Sequence, residues 1–151
     1  MPITHIQSAT VCVSDQDKAL DFFVNKLGFE VREDAPFGEN QELRWIEVAP
    51  PGAKTVLVLA RGFGGCIPER IGKFSGIVFE ADDIHRTCEE LQSRGVNFLE
   101  GPTMQAWGMY QAIFEDPDGN RFALVSEPVY IQRRMRTTRP FPQEQAGADA
   151  P

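Results

Sequence analysis

The amino-acid sequence predicts an α+β fold built from two tandem βαβββ modules, residues 4–60 and 75–127. When residues 8–60 are placed on 75–127 without a gap, ten of the 53 positions are identical, against roughly three expected from ordinary composition. The identical positions include the aspartate, glycine and proline residues that begin helices, end helices and form turns. A chain of 151 residues with 42% hydrophobic content can also form a core without disulfides or a structural metal. We therefore expect a single domain over 1–128.

The first module begins with a strand over 6–13, which is apolar and ends in β-branched residues. Ser14 or Asp15 then caps a helix whose apolar residues recur at helical spacing. Gly28 lies where the helix should end in a left-handed residue. The remaining features are strands over 29–31, 43–48 and 54–60, a loop with Pro36 and Gly38, and a type II turn at Pro50-Pro51-Gly52.

The second module repeats this pattern from a strand over 76–81. Asp82 or Asp83 caps a helix over 83–94, whose inner stripe contains Ile84, Cys88 and Leu91, and Gly95 ends it. The remaining features are strands over 96–99, 107–115 and 120–126, a type I turn at Asp116-Pro117-Asp118-Gly119, and a glycine-rich loop over 61–74 that joins the modules.

Short motifs in both modules match a known family pattern. They are Val11-Cys-Val-Ser-Asp15, Ala19-x-x-Phe22-Phe23, Leu27-Gly28-Phe29, Trp107-Gly108 and Phe114-Glu-Asp-Pro-Asp-Gly-Asn120. Over residues 4–127 the chain thus resembles the vicinal oxygen chelate superfamily, which includes glyoxalase I, extradiol dioxygenases and bleomycin-resistance proteins. The resemblance implies a cup-shaped mixed sheet around a cleft, the glyoxalase/bleomycin-resistance fold. It also implies a homodimer, the commonest symmetric assembly.

The resemblance also identifies where a metal ion would be held. Enzymes of the superfamily bind one divalent ion through four side chains, mostly His or Glu, on the first and fourth strands of both modules. In this sequence those positions are Ser8, Val56, Gly76 and Ala123. None of the four is a usual ligand of first-row divalent ions, which favour imidazole and carboxylate groups. We therefore expect no metal and no cofactor, as in the metal-free, bleomycin-resistance-like branch, and we interpret Glu47 and Glu80 as outward-facing strand residues.

A cup without metal ligands would be roomy and largely apolar, which is the usual form of a small-molecule site. The expected ligand-binding residues are Trp45, Trp107, Tyr110, Phe114, Phe37, Phe63, Met104 and Ser8. Core packing remains an alternative for each aromatic residue, because the face that a strand residue occupies depends on the pairing of the strand. No pairing of a nucleophile with a base indicates a catalytic residue.

The net charge limits the possible binding partners, and the cysteine content indicates the cellular compartment. The net charge is −7 for the whole chain and −9 for residues 1–130, so the body would repel nucleic acid. No apolar run approaches the roughly 18 residues of a membrane span. Three cysteines without paired spacing favour a reducing cytoplasm. We expect Cys12 and Cys88 to be buried core residues and Cys66 to be an accessible thiol.

The favoured hypothesis is a small-molecule-binding protein that sequesters a bulky aromatic natural product or antibiotic in a metal-free cleft, as drug-resistance or self-protection proteins do. The alternative is a lyase, isomerase or dioxygenase of the superfamily that acts with unusual or substrate-supplied metal ligands. A third possibility is a purely structural or interaction domain. Residues 129–151 form a C-terminal extension, with an apolar start and four arginines, and we expect mobility beyond 140.

Overall fold

A computed structural model describes residues 1–128 of the chain. The first of two compact units comprises Met1–Ser75 together with Asp116–Arg121, and the second comprises Gly76–Glu115 and, among the described residues, 122–128. The described chain forms two four-stranded sheets, each with one α-helix in its module. The predicted α+β fold with two tandem modules is therefore confirmed. The predictions for 129–151 lie outside the described residues.

The two sheets repeat one topology, with strand orders β1-β4-β3-β2 and β5-β8-β7-β6. In the first sheet β1 runs parallel to β4, and β3 is antiparallel to both of its neighbours. No helix among residues 1–128 is long and apolar enough to span a lipid bilayer. The elements are β1 (Ser8–Cys12), α1 (Gln16–Asp21) continued by a π turn (Phe22–Lys26), β2 (Glu30–Phe37), β3 (Leu43–Ala49), β4 (Val56–Ala60), β5 (Phe74–Glu80), α2 (Ile84–Ser93), β6 (Asn97–Met104), β7 (Tyr110–Glu115) and β8 (Arg121–Ser126).

The predicted caps and turns lie where the sequence placed them. Asp15 caps α1 and Asp83 caps α2, each by accepting a hydrogen bond from the backbone N–H three residues later. Gly28 adopts a φ of +79°, which glycine tolerates and most other residues do not. In the turn after β3 the N–H of Ala53 donates to the carbonyl of Pro50 at 3.0 Å. These signals are local, so the sequence alone suffices to find them.

Two strands contain a proline, a residue that usually indicates a loop or a turn. Strand β2 includes Pro36, which the sequence analysis placed in a loop, and β6 includes Pro102. Both strands lie at the edge of their sheets. An edge strand tolerates a proline because the missing N–H can face away from the neighbouring strand. The joining loop is also shorter than predicted, since Phe74 already belongs to β5.

Cys12 and Cys66 form a disulfide, which corrects the expectation of a free core cysteine and an accessible thiol. Because β1 and β4 are parallel, Cys12 lies opposite Ala60 at the ends of both strands. The chain leaving β4 passes back beside Cys12, and the two cysteine Cα atoms are 5.3 Å apart. Spacing could not reveal this pair, because 54 residues with three strands and a helix separate its members. Cys88 is a buried free cysteine, as predicted.

The turn Asp116–Asn120 follows β7 in sequence but belongs to the first unit. The Asp116 carboxylate accepts hydrogen bonds from the backbone N–H groups of Asp118 and Asn120, at 2.9 Å each. The buried Asn120 amide donates to the carbonyl of Cys12 at 2.9 Å and accepts from the N–H of Gly72 at 2.8 Å. Burial raises the pKa of the Asp116 carboxyl, although these hydrogen bonds favour its charged form. The family motif at these residues therefore has a structural role in the first unit.

Candidate functional site

The register of the first sheet shows which side chains share a face. Arg44 of β3 pairs with Asp17 of α1, its Nη1 lying 2.6 Å from the carboxylate, so the face of Arg44 is the one that carries the helix. Successive strand residues point to opposite faces. Trp45 and Glu47 therefore lie on the opposite face, which we name the helix-free face of the first unit.

A row of directly paired residues crosses this helix-free face. Thr10 of β1 pairs with Val58 of β4, Val58 pairs with Glu47 of β3, and Glu47 pairs with Glu33 of β2. Directly paired residues point to the same face. Val58 is buried, Glu47 is half-buried, and Thr10 and Glu33 are exposed. The row thus combines an apolar centre with two carboxylates on one side.

Three of the predicted ligand-binding residues form an aromatic cluster, which consists of Phe37, Trp45 and Phe63. The rings of Trp45 and Phe63 are stacked with their centroids 5.5 Å apart. Phe37 meets both rings edge-on, at 5.8 Å from Trp45 and 4.9 Å from Phe63. All three side chains are half-buried. The cluster therefore presents aromatic surface at the helix-free face instead of being enclosed in a core.

Glu47 is held beside the aromatic cluster by a hydrogen bond. The indole Nε1 of Trp45 donates to Oε2 of Glu47 at 2.9 Å. Within residues 1–128 the other carboxylate oxygen of Glu47 has no hydrogen-bond partner in the protein, and no lysine or arginine forms an ion pair with this residue. Glu47 is thus a half-buried acceptor fixed next to a ring, and not a simple outward-facing strand residue as the sequence analysis interpreted it.

A cavity of about 400 Å³ opens beside β1 and the joining loop, and the residues that line it belong to the first unit. The lining includes the Cys12 end of the disulfide and Gly64, which directly follows Phe63 of the aromatic cluster. Arg70 and Lys73 supply positive charge there, and Glu69 supplies one negative charge. Thr10, Phe74 and the buried Asn120 also line the cavity.

On the helix side, Arg44 fastens the strand that carries Trp45 and Glu47. Its Nε and Nη2 donate to the two carboxylate oxygens of Asp34 at 2.8 and 2.9 Å, and its Nη1 donates to Asp17. The hydrogen bonds from Arg44 lower the pKa of Asp34, and those to both carboxylates raise the pKa of Arg44. Strand β3 is therefore tied to β2 and to α1 directly behind the aromatic cluster.

The positions at which the superfamily holds its metal do not supply suitable donors. Ser8 and Val56 are directly paired on β1 and β4, and Gly76 and Ala123 lie on β5 and β8 of the second unit. The Ser8 hydroxyl is the only polar side-chain group of the four, and this residue is exposed. In the described part of the chain no group of three or more His, Cys, Asp or Glu is arranged for a metal. The four residues do not fit the superfamily's ion.

Two of the predicted residues in the second unit pack against its own elements. Phe114 is 1% exposed and its ring stacks on Phe122 at 5.5 Å, so it belongs to the core, the alternative left open for each aromatic residue. Tyr110 meets His85 of α2 edge-on at 4.9 Å and therefore lies on the helix side of its sheet.

The other two predicted residues of the second unit are more accessible. Met104 is 46% exposed and pairs directly with Tyr110 at the end of β6. Trp107 is half-buried in the turn between β6 and β7. The aromatic residues that were predicted as one set are thus divided between a cluster in the first unit and separate positions in the second.

Two residues of the site, Glu47 and Thr10, were not predicted from the sequence. Glu47 was interpreted as an outward-facing strand residue, and Thr10 was not among the expected ligand-binding residues. The spacing of Trp45 and Glu47 by two residues places both on one face, but which face depends on the pairing of β3 with β4. The sequence shows the spacing of Trp45 and Glu47, but it does not show how β3 pairs with β4.

Comparisons with known proteins agree with this architecture. The family model of the Glyoxalase/Bleomycin resistance protein/Dioxygenase superfamily matches residues 3–124. The crystal structure of TnmS3, an antibiotic binding protein from Streptomyces sp. CB03234, has a TM-score of 0.72 and 42% sequence identity, covering 85% of this chain and 99% of that one.

Two relatives found by sequence extend this comparison. The uncharacterized protein YetH of Bacillus subtilis (strain 168) is 40% identical over 127 residues, which are 81% of this chain and 98% of YetH. A probable lactoylglutathione lyase of Synechocystis sp. is 28% identical over 116 residues, 75% of this chain and 88% of the lyase. Given the family match over most of its length, the chain belongs to the glyoxalase/bleomycin resistance protein/dioxygenase superfamily.

Proposed function

We propose that this protein binds and sequesters a bulky aromatic natural product or antibiotic, without turnover, at the helix-free face of the first unit. The observation that carries the proposal is the half-buried aromatic cluster beside the fixed carboxylate of Glu47. Planar ligands stack on aromatic rings at centroid separations of roughly 4.5–7 Å. The similarity to TnmS3, an antibiotic binding protein, supports the same kind of ligand.

The arrangement suits binding because the rings are already in place. Trp45 is oriented by its hydrogen bond to Glu47, and Phe63 is held in the stack by its contacts with Trp45 and Phe37. A preformed site loses less conformational entropy when a ligand binds. The cavity beside Gly64 offers room for the rest of a bulky molecule. Ser8 of β1 stays a predicted ligand contact of this face. The predicted ligand contacts of Met104 and Trp107 concern the second unit and stay separate predictions.

The residue types at the superfamily's metal positions favour binding over catalysis. Ser8, Val56, Gly76 and Ala123 offer neither an imidazole nor a carboxylate, which are the groups that would hold a Lewis-acidic ion. A site of this composition can hold a guest by stacking and hydrogen bonding. Drug resistance or self-protection by sequestration is the corresponding biological role that we propose.

A second candidate function is a metal-dependent lyase reaction. It is favoured by the 28% identity to a probable lactoylglutathione lyase. Such an activity would require metal ligands other than the four aligned residues, or ligands supplied by the substrate. It predicts a divalent ion in the purified protein and conversion of the hemithioacetal formed from methylglyoxal and glutathione.

The proposed assembly and location follow the sequence analysis. We propose a homodimer, which the mass in solution measured by light scattering would test. A cytoplasmic location stays a prediction, and in that reducing compartment the Cys12–Cys66 pair would be exposed to thiol reductants. Alkylation of free thiols in protein taken directly from cells would show whether this pair is oxidised or reduced, and so test the predicted compartment.

The binding proposal is tested with doxorubicin, a planar aromatic antibiotic, as the probe. Saturable binding measured by calorimetry is expected, and the drug should be recovered chemically unchanged by mass spectrometry. Phe63→Ala removes one ring of the stack and should weaken binding about fivefold, since aromatic stacking contributes roughly 1 kcal/mol. Quenching of tryptophan fluorescence in a Trp107→Phe background would report on Trp45 alone.

The matched control is Leu99→Ala, which removes an apolar side chain, 51% exposed, from β6 in the second unit. This variant should bind doxorubicin as the parent does. A chemically altered drug, or equal affinity of the Phe63→Ala variant and the parent, would contradict sequestration at the aromatic cluster. A stoichiometric divalent ion together with turnover of the hemithioacetal would favour the lyase instead.

A further inference from the structure

We propose that Glu47 selects planar aromatic ligands that carry a cationic N–H group at the edge of the ring system. This inference rests on the proposed function, because it names the chemical class of ligand that the aromatic cluster would hold. It starts from three features of the helix-free face: the position of the carboxylate, its charge environment and its partial burial.

The position of the carboxylate is set by the indole edge. Nε1 of Trp45 donates to Oε2 of Glu47 at 2.9 Å, so the carboxylate lies at the rim of this ring. A ligand that stacks on Trp45 or Phe63 would bring its own rim near the same carboxylate. Within residues 1–128 the second oxygen of Glu47 has no protein partner, and it can accept a hydrogen bond from the ligand.

The charge environment at this point is negative. Glu33 is the direct cross-strand partner of Glu47 on the same face, and like charges in directly opposed positions repel. The nearby arginines are engaged elsewhere, Arg32 with Glu30 and Arg44 with Asp34. Among the described residues no cation forms an ion pair with either glutamate of the opposed pair. A cationic N–H group of a ligand would relieve the repulsion.

Partial burial strengthens the selection. Glu47 is half-buried and adjoins the buried Val58 in the row across the sheet. A charge-assisted hydrogen bond is stronger than a neutral one, and shielding from water increases the difference. The lining of the cavity contains two basic residues, Arg70 and Lys73, and one acidic residue, Glu69, so its net charge is positive. A cationic group of the ligand is therefore favoured at Glu47 over the cavity.

The test compares two probes of nearly the same shape at about pH 8. One is 9-aminoacridine, which is protonated at its ring nitrogen and shares the positive charge with the amino group on the opposite edge, and the other is acridine, which is neutral. The full-length protein should bind 9-aminoacridine about tenfold more tightly than acridine, as expected for a charge-assisted hydrogen bond. Glu47→Gln keeps an acceptor for the Trp45 N–H and removes the charge. The affinity ratio of the two probes should then fall towards one, while the affinity for acridine stays the same.

Two variants complete the design. Glu33→Gln should lower the ratio by less than Glu47→Gln does, because Glu33 is exposed. Glu100→Gln, which makes the same change at an exposed residue of β6, should leave the ratio unaltered. Three outcomes would overturn the proposed role of Glu47 but leave the aromatic site standing. They are an unchanged affinity ratio in Glu47→Gln, an equal fall of the ratio in Glu100→Gln, and equal binding of both probes by the parent. Binding of neither probe would overturn the aromatic site as well.

Discussion

At the scale of single residues, the state of each cysteine follows from its backbone position. Cys12 ends β1 where the chain after β4 returns, and it is bonded to Cys66. Cys88 lies on the buried stripe of α2, and burial raises the pKa of its thiol to about 11. A thiol reacts as the thiolate. Cys88 should therefore be inert in the folded protein at neutral pH.

We predict the number of thiols that react with a chromogenic disulfide reagent near pH 8. The folded protein without reductant should give none, the unfolded protein one, and the unfolded and reduced protein three. The one thiol seen on unfolding is that of Cys88, so a Cys88→Ala variant should give none in both states before reduction. Two reactive thiols in the folded parent would mean that the Cys12–Cys66 bond is not formed.

At the scale of elements, strand β3 links the helix side of the first sheet to the site. Its alternate residues face α1 through Arg44 and the aromatic cluster through Trp45. Asp34, on the neighbouring β2, is held by two hydrogen bonds from Arg44. Loss of this bidentate pair would loosen an edge strand that also carries Phe37 of the cluster.

We predict that Asp34→Asn lowers the free energy of unfolding by about 1 kcal/mol at neutral pH, as expected for a partly exposed bidentate pair. Because the pKa of Asp34 is lowered by folding, its contribution is present above the pKa of an unfolded aspartate, about 4, and is lost as the pH falls through the folded value. Urea unfolding of both proteins across this range measures the difference.

The difference in the free energy of unfolding between the parent and Asp34→Asn should therefore disappear at low pH. Arg44→Gln provides the second arm of a double-mutant cycle, which isolates the energy of the pair. Additive effects of the two substitutions, or a difference that persists unchanged at low pH, would contradict the assignment of the shift to this pair.

At the scale of the whole molecule, the disulfide connects the first strand to the loop that supplies Phe63 and Gly64. The covalent bond joins residues 54 apart in sequence. Such a cross-link stabilises a protein mainly by restricting the unfolded chain. It also limits the positions available to the segment from Arg61 to Cys66, which carries one ring of the aromatic cluster.

We predict that replacing both Cys12 and Cys66 by Ser lowers the free energy of unfolding by about 4 kcal/mol, the chain-entropy value for a loop of this length. Doxorubicin should also bind more weakly, because Phe63 is held less firmly. Thermal unfolding and calorimetry measure the two effects. A reductant should reproduce them in the parent and have no effect on the double variant, and an equal effect on both proteins would exclude the disulfide as the cause.

The sequence predicts the elements of this fold well and its tertiary pairings poorly. The predicted helix caps and turns are correct because a few neighbouring residues determine them. They are Asp15, Asp83, Gly28 and the turn after β3. The internal repeat supplied the topology, since the two sheets have the same strand order. Strand ends were less certain, and Pro36 concealed the length of β2 because its tolerance depends on an edge position.

The candidate site shows the same division. Phe37, Trp45 and Phe63 were predicted as ligand-binding residues, and they lie together in the aromatic cluster. Phe114 was placed in the same set and belongs to a core. The difference lies in the face of each strand, which pairing determines and composition does not. The Cys12–Cys66 bond is invisible to spacing for a similar reason, since only the parallel pairing of β1 with β4 brings its members together.

The turn Asp116–Asn120 has a consequence for the order in which the chain can fold during synthesis. The carbonyl of Cys12 and the N–H of Gly72 find their partner in Asn120, and Ser14 bonds to Asp118. A ribosome that has just completed residue 75 has therefore not yet made a piece that the first unit requires. At about 5–20 residues per second the missing segment arrives several seconds later. The N-terminal half must wait for the second half to be translated before it reaches its native state.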